Sequence, residues 1–166
     1  DNDRYRWHME CWYPEIAGSW RQSKKLGGGG ALMDLGVHCL DLLHYVTGTK
    51  AVGVTAICDT QTFQYEVDDS ASLLLKMNNG AHAYVDVNFN IPDNAAVSRM
   101  EIYGTKGSVI CEGTLSQEEV GTTKVSFAEL TGYDAMQNRG SDHFFYMEPA
   151  SGNMYTKEIE SFSASL

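Results

Sequence analysis

Apolar positions in this chain recur at two periods, and the switch between them marks its elements. Residues 30–47, GALMDLGVHCLDLLHYVT, follow a run of glycines and read as one helix, with Gly48 where a helix stop favours glycine. At helical spacing Leu35, Cys39, Leu42 and Val46 form an apolar stripe that Leu32 and Leu43 extend, and this side is expected to pack on a sheet. Beyond residue 50 the period falls to two. AVGVTAIC (51–58) is β-rich, and DSASLLLKM (69–77) leads through NNG (78–80), a hairpin turn signal, into AHAYVDVNF (81–89). That last stretch alternates, with Ala81, Ala83, Val85, Val87 and Phe89 on one face and His82, Tyr84, Asp86 and Asn88 on the other. RMEIYG (99–104) and SVICEG (108–113) flank TKG as a second hairpin, and TTKVSFAEL (122–130) predicts a further strand. Residues 131–152 read as loops, and residues 153–166 as an amphipathic helix with Tyr155, Ile159, Phe162 and Leu166 on one stripe.

A helix, a series of mostly sequential strands and a closing helix predict an α+β fold. The short turns predict an open, mostly antiparallel β-sheet. Two helices cover one face of such a sheet and leave the other for water or a second subunit. His82, Tyr84, Asp86 and Asn88 are candidates for that contact, which points to a homo-oligomer, a dimer or a tetramer. Residues 1–26 show no clear period and scatter Trp7, Trp12, Tyr13 and Trp20 through polar sequence. They read as an irregular, aromatic-rich lead-in that lies on a surface, ahead of an α+β domain at 27–166.

Composition narrows the function classes. The 166 residues are 43% hydrophobic, enough for one domain with a real core. Lys and Arg number 12 against 22 Asp and Glu, a net charge of -10, so nucleic acid and anionic membranes are poor partners. No apolar run approaches the roughly 20 residues that span a bilayer, and DNDRYRWHME is no signal peptide. The first residue is Asp1, and the chain opens mid-phrase rather than on an initiator methionine. Cys11, Cys39, Cys58 and Cys111 are widely spaced with no C-x-x-C, which predicts a reducing, cytoplasmic setting.

The helix at 30–47 carries the candidate chemistry. Asp34, His38, Asp41 and Tyr45 line one stripe, yet the segment holds no Lys, Arg or Glu. A solvent face usually carries those residues. Either the stripe is such a face, or it lines a cleft roofed by something else. At i, i+4 the Asp34 carboxylate and the His38 imidazole are within reach, a pairing that suits a general acid/base. Asp34, His38 and Asp41 as metal ligands would lack a fourth partner nearby, and His8-Met-Glu-Cys11 has zinc-like spacing without a second half, so no metal site is predicted. No strand pattern precedes GGGG, and no dinucleotide or P-loop fingerprint is present. Gly28, Gly29 and Gly30 therefore read as points of close backbone approach, where a ligand or a facing domain comes near. Trp20 and Arg21 lie just before them, where a substrate would arrive.

With these residues in view, G-G-G-A-L-x-D-L-G-V-H-x-x-D-L at 28–42 resembles the signature of the C-terminal domain of the Gfo/Idh/MocA oxidoreductases, the glucose–fructose oxidoreductase and inositol dehydrogenase family. Val67-Asp68-Asp69-Ser70-Ala71, Asn79-Gly80-Ala81, Glu101-Ile102-Tyr103-Gly104-Thr105-Lys106-Gly107-Ser108 and Tyr155-x-x-Glu158-Ile159-x-x-Phe162 are similar to later family motifs, in order. The resemblance implies a substrate-binding and catalytic domain that follows an N-terminal Rossmann domain absent from this chain. It implies hydride transfer between NAD or NADP, held mainly by that other domain, and a sugar, polyol or related small molecule. His38 matches the family's catalytic histidine and Asp34 its companion acid. Trp20, Arg21, Gly29, Gly30 and Asp41 are the candidates for substrate contact. The open sheet face would be the subunit interface. The family's Glu-Lys-Pro motif does not occur here, so the isolated chain is expected to be inactive. Two other classes stay open to this sequence: a non-catalytic oligomerisation or interaction module with the same fold, and a small metal-binding domain.

Overall fold

The computed structural model describes residues 3–115, 121–128, 132–133, 135–136, 143–148 and 152–166. Eight strands form one sheet: β1 (Arg4–Glu10), β2 (Ala51–Asp59), β3 (Ser70–Met77), β4 (His82–Asn88), β5 (Arg99–Gly104), β6 (Gly107–Glu112), β7 (Thr122–Phe127) and β8 (Phe144–Met147). Their spatial order is β2-β3-β4-β1-β5-β6-β7-β8. Every neighbouring pair is antiparallel except β1 with β4. The architecture is the expected α+β one, and the three hairpins β3–β4, β5–β6 and β6–β7 fall where the alternation placed strands.

The lead-in departs from expectation. Arg4–Glu10 is not irregular but a strand in the interior of the sheet, pairing Trp7 with Val85 of β4 and with Met100 of β5. The reason lies in its own alternation. Tyr5 and Trp7 are buried while Arg4 and Arg6 are exposed, so the strand is half apolar and half charged. Residues 131–152 also hold more than loops, because β8 pairs with β7 at the sheet edge.

One face of the sheet carries the core. Ala71, Leu73, Leu75 and Met77 of β3 join Ala83, Val85 and Val87 of β4 and Tyr5 and Trp7 of β1. Over them lies a wide π-helical turn, Leu32–Gly36, that runs directly into helix α2, Val37–Thr47. Two short turns precede it, a 3-10 turn at Trp20–Gln22 and helix α1 at Lys24–Gly27. The buried helical stripe is Ala31, Leu35, Cys39 and Leu43, whereas Leu42 is half-buried and Val46 exposed. The π-turn underwinds the chain, so the core-facing positions step by four rather than by three and four. Gly48 ends α2 in the left-handed conformation, φ 64°, with its N–H on His44 O at 3.0 Å.

The closing helix α3, Met154–Ala164, forms as its period requires and is capped by the Asn153 side chain, which accepts from Thr156 N at 3.1 Å. Its stripe of Tyr155, Ile159, Phe162 and Leu166 is exposed, so only the helix at 31–47 packs closely on the sheet among the described residues.

Candidate functional site

Two aspartates at the start of β3 build the site. Asp68 is the cap of the helix that carries Asp34 and His38, although it lies far away in sequence. Its carboxylate accepts from Gly30 N at 2.9 Å and Leu32 N at 2.8 Å, and its carbonyl accepts from Ala31 N at 2.9 Å. These are orphan donors of a helix start, and a carboxylate there also suits the helix dipole. Glycine is required at the contact, because a Cβ on Gly30 would sit 1.8 Å from Asp68 O. The close approach expected of the glycines is therefore made at Gly30 to the chain's own backbone.

Asp69 is fully buried and organises the adjoining loop. It accepts from Gln61 N and Thr62 N, both at 2.8 Å, and from Phe63 N at 3.0 Å. That loop in turn holds the segment bearing Trp20 and Arg21. Glu66 Oε2 accepts from Lys24 N at 2.9 Å, and Glu66 N donates to Gln22 O at 3.2 Å. Tyr65 OH donates to Tyr13 O at 3.2 Å, and burial with the nearby Asp69 charge pushes its phenol well above the usual value. Stacked rings of Phe63 and Tyr65, 5.4 Å apart, back the segment.

The result is a cleft of about 170 Å³ lined by Trp20, Arg21, Gly29, Gly30, Asp34, Tyr13, Gly27, Met33 and Phe89. Five of the residues singled out in the sequence meet there. Arg21 Nη1 lies 3.7 Å from Asp34 Oδ1, and its guanidinium stands 5.4 Å from the centre of the Trp20 ring. Both partners of the ion pair are about half exposed, so the pair stabilises the fold by at most about 1 kcal/mol. Its consequence is positional: it holds a cation, an anion and an exposed indole face side by side.

His38 and Asp41 are not in the cleft wall. They stand exposed on α2, on the helix surface away from the core. No hydrogen bond or ion pair reaches the His38 side chain among the described residues, and the Asp34 carboxylate that i, i+4 spacing would give it is turned to Arg21. The wide turn at Leu32–Gly36 places Asp34 and His38 on different kinds of helical turn. His44, on the same helix, is structural: its Nε2 accepts from Ala51 N at 3.2 Å. Sequence reasoning missed the Tyr13, Met33 and Phe89 walls and the work of Asp68 and Asp69. The adjacent acids were the only visible signal.

The thiols near the site are pushed toward the protonated form. Burial, then the Asp93 and Asp34 charges, pushes Cys11 up to about 11, and burial alone pushes Cys39 up to about 12. All four cysteines are free. No helix among the described residues is long and apolar enough to cross a membrane.

Comparison with known proteins agrees with this picture. The profile of the GFO/IDH/MocA C-terminal domain matches residues 3–110. The uncharacterized oxidoreductase YrbE of Bacillus subtilis is 28% identical over 142 residues, covering 83% of this chain and 38% of the relative. Inositol 2-dehydrogenase of Rhizobium meliloti is 29% identical over 142 residues, covering 83% of this chain and 39% of the relative. Among solved structures, levoglucosan dehydrogenase in complex with NADH and L-sorbose shares the fold with a TM-score of 0.66 at 22% identity, over 93% of this chain and 41% of that one. The chain thus spans well under half the length of these proteins. A profile match that begins at β1 and runs through the capped helix and both first hairpins has one reading: the chain belongs to the Gfo/Idh/MocA family of oxidoreductases and carries its C-terminal domain.

Proposed function

We propose that this chain is the substrate-binding and catalytic C-terminal domain of an NAD(P)-dependent oxidoreductase that acts by hydride transfer on a sugar, a polyol or a related small molecule. The observation that carries the reading is the Trp20–Arg21–Asp34 constellation beside the glycine edge, with Asp34 on the helical segment that also presents His38. An indole face takes the C–H face of a sugar ring, while a guanidinium and a carboxylate take its hydroxyls. Gly29 and Gly30 line the same cleft.

The cleft fits a single ring and not a whole dinucleotide. A nicotinamide ring laid against the exposed stripe would face Asp34 and His38, and the rest of the cofactor belongs to a nucleotide-binding domain outside this chain. When bound, the nicotinamide supplies the site that accepts or gives the hydride. The chain's own part is proton transfer and orientation. His38 takes the hydroxyl proton as the alcohol is oxidised and returns it in reduction. Arg21 and Asp34 fix the neighbouring hydroxyls, with Asp41 at the rim. Free thiols and an acidic surface favour the cytoplasm. The open sheet face, with His82, Tyr84, Asp86 and Asn88, pairs subunits.

One observation favours the second reading, a non-catalytic module: His38 has no carboxylate partner among the described residues. The two separate in one assay. The complete gene product is incubated with NAD or NADP and a panel of aldoses, inositols and anhydrosugars, and absorbance of the reduced nicotinamide is followed. Turnover of at least one member supports the enzyme. Cofactor binding with no turnover on any member supports the module.

A further inference from the structure

The open face of the sheet carries a second cluster that takes no part in the proposed hydride transfer. His8 and Glu10 project from β1, and Asp86 from β4, where it is the register partner of His8. One ligand atom from each lies within 4.8 Å of the others, and all three side chains are half-buried. We propose that His8, Glu10 and Asp86 form a binding site for a first-row divalent cation.

The pre-organisation is concentrated on Asp86. Its Oδ1 accepts from Ser72 Oγ at 2.5 Å and Tyr84 OH at 3.1 Å, and its Oδ2 accepts from Asn88 Nδ2 at 3.0 Å. A carboxylate offers about four lone-pair directions. Three are filled by fixed donors from β3 and β4, so the group is aimed and keeps one direction open. Such outer hydrogen bonds are what orient a ligating carboxylate. Among the described residues the Glu10 carboxylate accepts from Val97 N alone, at 3.3 Å to Oε2, which leaves Oε1 without a partner there. The His8 ring meets the Tyr84 ring edge-on, with centroids 6.4 Å apart, and no hydrogen bond or ion pair reaches it among the described residues.

Charge leads the same way. Two carboxylates share the cluster, and His8 makes no ion pair with either of them. The cation beside it, Arg99, is the β5 register partner of His8, yet its guanidinium is engaged by Glu101 at 3.4 Å and by Glu112. Neither Glu10 nor Asp86 makes an ion pair among the described residues. One imidazole and two carboxylate oxygens suit Mn²⁺, Fe²⁺, Co²⁺ or Zn²⁺ better than Mg²⁺ or Ca²⁺, which prefer oxygen alone.

Position gives the cation a task. β1–β4 is the one parallel pairing among the described strands, and a parallel pair is slightly weaker per residue than an antiparallel one. A cation across His8, Glu10 and Asp86 clamps that seam, where β2–β4 on one side meet β5–β8 on the other.

Mn²⁺ is the probe of choice, because its free-ion paramagnetic resonance spectrum disappears on binding and it does not compete for the free thiols as Zn²⁺ does. Chelator-treated protein is titrated with MnCl₂ at neutral pH, alongside His8→Ala, Glu10→Gln and His82→Ala, with a thermal melt of each variant with and without Mn²⁺. One equivalent is expected to bind, to raise the melting temperature, and to bind at least about ten-fold more weakly in His8→Ala and Glu10→Gln. His82→Ala, on the same face but outside the cluster, is expected to bind Mn²⁺ as wild type does. A free-ion spectrum that persists with wild-type protein, or undiminished binding in either ligand variant, overturns the site. If His8→Ala fails to melt cooperatively, Glu10→Gln decides alone.

Discussion

Asp68 and Gly30 meet at hydrogen-bonding distance across 38 positions of sequence, with Gly30 N donating to Asp68 Oδ1 at 2.9 Å. The other oxygen of the same carboxylate takes Leu32 N at 2.8 Å. This pair ties the first turn of the helix that carries Asp34 and His38 to the entrance of β3. Asp68→Ala removes the cap and is expected to lower unfolding stability by about 1–3 kcal/mol, read by urea denaturation. Asp68→Asn keeps one acceptor and is expected to lose less.

Gly30→Ala tests the other half of the contact. A Cβ there meets backbone at 1.8 Å, and backbone cannot rotate away. The expected loss is at the upper end of the overpacking range, about 3 kcal/mol. At Gly29 the nearest atom is the Met33 side chain at 2.4 Å, and that side chain is exposed. Gly29→Ala is therefore expected to cost clearly less, by the same denaturation measurement. Equal losses at the two positions would contradict the geometry.

Cys39 gives a pH signature. Its folded value of about 12 stands above its ordinary 9.0 because the thiolate would be buried. The folded state then holds the proton more tightly than the unfolded state. Stability from this group is fully present below pH 9 and falls as pH rises toward 12. Cys39→Ala is expected to flatten that alkaline fall in thermal melts. Iodoacetamide at mildly alkaline pH is expected to label exposed Cys58 well before Cys39, as mass spectrometry of the peptides would show.

The open face offers a test of assembly. Leu74 is 56% exposed in the middle of that face, on β3 beside β4. An apolar residue there is ordinary in an interface core and costly to replace by charge. Leu74→Arg is expected to shift sedimentation from oligomer to monomer while leaving the far-UV spectrum unchanged. A wild-type protein that sediments as a monomer would contradict pairing through this face.

What the sequence showed depended on whether a signal was local. The alternation from Ala81 to Phe89 and the Asn79–Gly80 turn were sufficient for β3–β4, because both the pattern and its partner lie within one hairpin. β1 carries as clear an alternation, Arg4-Tyr5-Arg6-Trp7-His8, but its partners lie over 70 positions away and its polar half is charged. β8 is four exposed residues at an edge, with no alternation to read. The helix was legible and its buried stripe only in part, since the π-turn shifts the register that a regular period assumes. Trp20, Arg21, Gly29, Gly30 and Asp34 were read as neighbours and do share a cleft. The Asp34–His38 pairing was not to be had from spacing alone, because Arg21 competes for the carboxylate from another segment.

The central claim is that His38 moves the proton in hydride transfer. The direct test is kcat/KM of the complete gene product with its best sugar or polyol, for wild type, His38→Ala and Asp34→Asn, with thermal melts alongside. His38 is exposed and unbonded among the described residues, so His38→Ala is expected to melt like wild type. Its turnover is expected to fall by roughly 10²–10⁴-fold, with a smaller loss in Asp34→Asn. Unchanged kcat/KM in a folded His38→Ala protein would contradict the account and leave the domain a binding and assembly module.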